Sequence, residues 1–241
     1  MFFFAAAIST KGYPLAMAGL PEHLAKGPVG REPLSREVIE GHQRERIAGA
    51  AVDVFAKRGY RATTIDHIVA AAQVGVGSFY SLFEGKEECF LYIYGTMVSE
   101  VRERLAAAIP DGADWVDAVG AVLCELLDTV TSDPFGARIV FVEAQTAGAA
   151  AEARYAETMS EPVRLLRGGR ALRQRGEELP AGLESATVAG IAWLIHQRLV
   201  AGRPQEIPAL LPEVAEIVFE PYLGRAETEL VMARLLPAAT A

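Results

Sequence analysis

From residue 35 onward the apolar positions of this chain recur every three to four residues, and nowhere do they alternate as a strand requires. The spacing predicts a first helix from about Ser35 or His42 to Arg58, with Ile47, Ala50, Ala51, Val54 and Phe55 on one face. Gly59 follows as the residue suited to a left-handed helix stop. Thr64 is placed to cap a second helix, in which Ile65, Ile68, Val69 and Ala72 form one stripe and Asp66 lies in the first turn, where a carboxylate suits the helix dipole. A tight turn at 73–75 leads to a short third helix from Val76 to about Phe83, with Val76, Phe79 and Phe83 expected to face inward. Gly85 breaks it, and a long fourth helix starts near Lys86 with Phe90, Ile93, Met97, Val101 and Leu105 as its buried seam.

Beyond Pro110 the same periodicity predicts amphipathic helices near 113–131, 135–147, 151–174 and 183–201. A further helix is expected from about Pro212 to Glu220, ended by Pro221-Tyr222-Leu223-Gly224, and a short last one over 226–236. Residues 1–34 carry Pro14, Pro21, Pro28 and Pro33 with several glycines and read as a flexible extension, with Met17 as an alternative start. Their apolar opening MFFFAAAIS is not a signal peptide by pattern, since no positive residue precedes it and Lys11, Gly12 and Pro14 interrupt the stretch after it. The fold class is therefore all-α, with three domains of differing character: 1–34, 35–90 and 91–241.

Composition narrows the function. A net charge of −8 excludes a nonspecific coat for nucleic acid, which is basic overall, but leaves a sequence-specific reader open because only its docking face must tolerate phosphate. No apolar run reaches the ~18–20 residues of a membrane helix. Cys89 and Cys124 lack CxxC spacing and read as buried thiols of a cytoplasmic protein. His23, His42, His67 and His196 show no metal-ligand spacing, and neither a nucleophile elbow nor a phosphate loop is present, so no metal, cofactor or catalysis is expected. Gly75-Val76-Gly77 lacks a third glycine and follows a helix, which excludes a dinucleotide loop.

Two short helices joined by a tight turn form a helix-turn-helix, whose second helix enters the major groove of DNA. The outward face of the third helix is Gly77, Ser78, Tyr80 and Ser81, small or hydroxyl-bearing groups that permit close approach and hydrogen bonding. The run Arg46-Ile47, Ala50-Ala51, Phe55, Gly59-Tyr60, Thr63-Thr64, Ile68, Ala72, Val74, Gly77-Ser78-Phe79-Tyr80, Phe83, Lys86-Glu87 and Phe90 resembles the tetracycline-repressor (TetR) family of bacterial regulators. The resemblance is dense from about Arg44 to Arg104 and weaker beyond. It implies a three-helix DNA-binding domain with recognition helix about 76–83, followed by a larger helical domain that binds a ligand and dimerises.

Carried over residue by residue, the resemblance implies phosphate contacts at Thr63, Thr64 and Lys86, with Arg61 nearby as another, and groove contacts at Gly77, Ser78 and Tyr80. Three features depart from the family pattern. Gly75 replaces a polar residue at the start of the recognition helix, Leu82 replaces a polar phosphate contact, and residues 42–90 balance six Lys or Arg with six Asp or Glu. With no Arg or Lys on the recognition helix, readout would rest on hydroxyls, van der Waals contact and DNA shape. Phe135, Phe141, Gln145, Tyr155, Met159, Trp193 and His196 are candidates to line a cavity for an unknown effector, although each reads equally well as packing. Homodimerisation is expected through helices near 183–201 and 206–223, where Ala186, Ala189 and Gly190 allow close approach. The expected function is a ligand-responsive repressor that binds a double-stranded DNA operator and is released by a small molecule.

Overall fold

A computed structural model describes residues 36–173 and 178–235, and all regular structure among them is helical. The extension assigned to 1–34 lies outside the described residues. The α-helices among the described residues are, in order, α1 Arg36–Arg58, α2 Ile65–Ala72, α3 Val76–Tyr80, α4 Lys86–Ala108, α5 Trp115–Ser132, α6 Pro134–Phe141, α7 Ala149–Arg167, α8 Leu183–Val200, α9 Leu211–Leu223 and α10 Arg225–Leu235. Single 3-10 turns cover Glu143–Gln145, Gly168–Leu172, Pro204–Glu206 and Pro208–Leu210.

The first three helices and the start of α4 make a small head around an aromatic core. Phe55, Phe79, Phe83 and Phe90 are all essentially buried, and Tyr60 stacks on Phe55 at 5.5 Å and meets Phe90 edge-on at 5.2 Å. α1 ends at Gly59 (φ +80), whose amide donates to Phe55 O. Lys57 and Arg58 occupy its last turn, where cations suit the negative end of the dipole. Thr64 caps α2 by accepting from the His67 amide while the His67 ring accepts from the Thr64 amide, a reciprocal capping box. α2 ends with Gln73 in the left-handed region (φ 53), and the Val74 amide donates to Val69 O, the Schellman closure that turns the chain sharply into α3.

Two expectations about α3 need correction. Val76 is 42% exposed, so the inward set is Phe79, Leu82 and Phe83. The helix proper ends at Tyr80 rather than near Phe83, because the chain bends after Tyr80 to send Leu82 and Phe83 into the core.

α4 runs from the head into the body, so the boundary set at residue 90 falls inside one unbroken helix. Its seam is buried at Phe90, Ile93 and Met97 and half-buried at Val101 and Leu105. The body packs α5 to α10 around Val119, Leu123, Leu127, Ile139, Ile195, Val214, Val218 and Phe219. Asp114 and Asp133 cap α5 and α6. α9 continues through Pro221 to Leu223, three residues beyond the predicted end. Cys89 is buried, which pushes its thiol up to about 12, and Cys124 is half-buried; both are free.

The end of α7 is fixed by close approach. The Trp115 indole N–H donates to Leu165 O at 2.9 Å, and a Cβ on Gly169 would lie 2.6 Å from the Trp115 ring and 2.9 Å from Tyr222. Beside it Arg170 grips the buried Glu184 through two nitrogens and also donates to Leu179 O and Pro180 O. The Tyr222 hydroxyl adds a third bond to Glu184 at 3.2 Å. These bonds tie α8 and α9 to the turn after α7.

Gly169→Ala is expected to destabilise the body by about 1–3 kcal/mol, because neither aromatic ring can yield, measured as a lower urea midpoint. The Arg170 hydrogen bonds hold the Glu184 carboxyl below the usual carboxylate range, with burial opposing them. A depressed folded pKa gives stability that is complete above the unfolded value and lost as pH falls through the folded one. The stability difference between wild type and Glu184→Gln should therefore be largest near neutrality and shrink below the ordinary carboxylate range, as read by urea melts across that interval.

Candidate nucleic-acid interface

The outward side of α3 is open. Gly77, Tyr80 and Ser81 are exposed and Ser78 is partly buried, and a Cβ placed on Gly77 would meet nothing within 4 Å. Tyr80 stands 55% exposed with its ring edge-on to Phe79, so the core fixes its base while the hydroxyl end stays free. Ser81 donates its hydroxyl hydrogen to Ser78 O at 2.9 Å, which leaves it acceptor capacity but no donor for a phosphate in this rotamer. Arg61, exposed, and Thr64, at the start of α2, lie on the same turn. The Thr64 oxygen accepts from His67, so its hydroxyl hydrogen remains available for a phosphate oxygen.

Two of the predicted phosphate ligands are engaged within the fold. Thr63 is 2% exposed and donates to Gly59 O at 2.8 Å, closing the turn between α1 and α2. Lys86 reaches back from the start of α4 to donate to Tyr60 O at 2.8 Å and Thr63 O at 2.7 Å, with its ammonium over the Tyr60 ring. Burial lowers its pKa, and the two carbonyls answer the unfavourable placement of a cation at a helix N-terminus. One of its three N–H donors is left for solvent or a phosphate. Leu82 is buried at 6% exposure and makes no polar contact outward.

The second candidate set gathers in a groove of about 570 Å³ between α7 and α8. Gln145, Tyr155, Met159, Trp193 and His196 line it together, joined by Val188 and Ala192. Phe135 and Phe141 do not belong to it. Phe135 sits at the surface beneath the Lys57 ammonium, and Phe141 is packed in the core. Trp193, which reads equally well as packing, is 59% exposed and lies parallel to the His196 ring at 5.3 Å. His196 Nδ1 and Gln145 Nε2 both meet Phe141 O at 2.9 Å. A carbonyl accepts only, so Nδ1 carries the hydrogen, and the neutral ring presents Nε2 as an acceptor. Among the described residues no lysine or arginine lines the groove, and Glu152 is its one charged residue.

Sequence reasoning misses Glu143. It is 5% exposed, accepts the Tyr60 amide at 2.7 Å and pairs with Arg138 at 3.3 Å, while Arg138 also donates to Leu199 O. Within a predicted helix over 135–147 it looks like any solvated glutamate, and no local pattern marks a carboxylate that reaches a turn 83 residues away.

Head, open recognition face and helical body define a helix-turn-helix protein of the DNA-binding class. Residues 47–93 match the family model of bacterial regulatory proteins, tetR family. The chain is 31% identical over 86 residues to the uncharacterized HTH-type transcriptional regulator YhgD of Bacillus subtilis, 36% of this chain and 45% of that protein. It is 30% identical over 70 residues to the HTH-type transcriptional repressor DhaR of Mycobacterium sp., 29% of this chain and 35% of that one. The matched stretch spans less than half the length of either relative. The solved structure of the transcriptional regulator FadR from Bacillus subtilis, in complex with stearoyl-CoA, superposes with a TM-score of 0.61 at 18% identity, covering 75% of this chain and 98% of that one, which shows a shared fold. The DNA-binding segment of this chain is thus similar to that of the tetR family. Among its described residues no helix is long and apolar enough to cross a membrane.

Replacing Lys86 by Met should release both carbonyls of the α1–α2 turn and cost the head about 1–3 kcal/mol of stability, beyond any effect on DNA, read by thermal melting without nucleic acid. Unchanged melting would return Lys86 to a role in phosphate binding alone.

Proposed function

We propose that this protein is a ligand-responsive transcriptional regulator, a repressor that leaves its operator when a small molecule occupies the groove between α7 and α8. The observation that carries the DNA-binding half is the open face of α3, where Gly77, Ser78 and Tyr80 project from a helix held rigidly by Phe79, Leu82 and Phe83 behind it. Thr64 and Arg61 flank that face as phosphate donors, and the one remaining donor of Lys86 is a minor third. In bacteria such a regulator works in the cytoplasm, where the DNA lies. The role is one of binding rather than catalysis.

The reading includes a homodimer that sets two α3 helices in successive major grooves about one turn, roughly 34–36 Å, apart. Ala186, Ala189, Gly190, Trp193 and Val200 make an exposed stripe of α8, with Ile217 exposed on α9, and these supply an apolar face for a second copy. The groove walls suit an apolar effector, in keeping with the stearoyl-CoA carried by the FadR neighbour. With no lysine or arginine in its described lining, a phosphate group of such a ligand would lie outside the groove. The acceptors at His196 and Gln145 favour an effector with a hydroxyl or N–H.

The test is selection of binding sites from random duplex DNA, followed by titration across salt concentrations. The expected product is a two-fold symmetric site, bound with a log–log salt slope of several units. Gly77→Leu should remove specific binding while leaving the melting temperature unchanged, since the added side chain meets open space in the free protein. A folded Gly77→Leu variant with wild-type affinity would remove α3 from the groove.

A further inference from the structure

We propose that Glu143 is the positioning residue through which the α7–α8 groove is coupled to the helix-turn-helix head. The inference deepens the regulatory reading above by naming the route between its two sites. Everything it needs converges on the short segment from Arg138 to Gln145. On the groove side, His196 and Gln145 each hold the carbonyl of Phe141, at the end of α6. Arg138, one helical turn earlier, donates to Leu199 O near the end of α8, the helix that also carries the groove residues Val188, Ala192 and Trp193. On the head side, the buried Glu143 carboxylate accepts the Tyr60 amide with one oxygen and the Arg138 guanidinium with the other.

Tyr60 then passes the position on. Its carbonyl is bonded to Lys86 and to the Thr63 amide, and Thr63 immediately precedes the residue that caps α2. A ligand donor drawn to His196 Nε2 or Gln145 Oε1 pulls on side chains that fix Phe141, two residues from Glu143. The Tyr60 amide is part-buried against this carboxylate. A displaced carboxylate leaves that N–H unpaired, a state costly enough that the turn must move with it. α4 also joins head and body, and its Phe90 meets the Tyr60 ring. The hydrogen-bonded chain, by contrast, runs from groove to Tyr60 through Phe141 and Glu143 without using α4, and enters the head by the Tyr60 backbone.

The test requires neither operator nor effector, so its failure is distinguishable from failure of the DNA-binding reading. Amide exchange is followed by mass spectrometry in the full chain for wild type, His196→Phe, Glu143→Met and the double variant. His196→Phe keeps the stack on Trp193 but deletes the bond to Phe141 O. It is expected to speed exchange in the peptide spanning 59–65 by about fivefold or more, the lower end of typical coupling strengths, while peptides of α5 stay unchanged. Glu143→Met should do the same, and the double variant should be no faster than the faster single one, because both act on one chain of contacts. Glu143→Gln, which keeps an acceptor for the Tyr60 amide at the same size, should recover slow exchange in 59–65 where Met does not. Unchanged exchange in 59–65 for His196→Phe, or effects of the two substitutions that multiply, would overturn the proposal. The first of these outcomes decides the matter even if Glu143→Met fails to fold.

Discussion

The turn at Gly59 and Tyr60 is where the separate demands of this molecule meet. The Tyr60 ring must stack on Phe55 and Phe90 to complete the head core, its amide must find Glu143, and its carbonyl must receive both Lys86 and the Thr63 amide. Gly59 supplies the left-handed backbone (φ +80) that makes this possible, a conformation a side chain there would strain. Because α2 starts just past this turn behind its Thr64 cap, the direction of α2, and with it the aim of α3, depends on how the turn is held. The body thus grips this turn by its backbone.

The body needs a comparable fixed point, and finds it around Glu184. A carboxylate at 1% exposure is tolerable only with its oxygens fully engaged, and Arg170 and Tyr222 together accomplish that. Burial first, and the Glu184 charge second, push the Tyr222 hydroxyl up to about 12, so it remains a donor at any physiological pH. The same residues fix the spacing of α8 and α9 from within, leaving the opposite stripe of α8 uncommitted. Structural polarity faces inward here, and the outer stripe of α8 is apolar, with small residues at Ala186, Ala189 and Gly190 beside the larger Trp193 and Val200.

How much the chain order reveals depends on how local the determining physics is. Helix periodicity, the Gly59 stop, the Thr64 cap and the outward set on α3 are legible because each is decided within about one helical turn. Val76 is misjudged because a five-residue helix is too short for periodicity to outweigh the bend after it. Thr63 and Lys86 carry residue types common at phosphate sites, and only the folded turn reveals that carbonyls already occupy them. Phe135 turns out to lie away from the groove, and Trp193 turns out exposed, since an aromatic residue on an amphipathic helix carries no label of which neighbour will cover it. Glu143 and Glu184 are invisible for a plainer reason. Their partners lie 83 and 14 residues away along the chain, and charge alone does not distinguish a buried glutamate from a solvated one.

The placement of the two tryptophans also makes the protein its own optical gauge. Trp115 is packed against Gly168 and Gly169 with its N–H committed to Leu165 O. Trp193 stands half in solvent on the groove wall with the His196 imidazole parallel to its indole. The emission spectrum thus sums one indole enclosed in the body and one open to added quencher. The solvent exposure of the groove wall can be watched in the unlabelled chain.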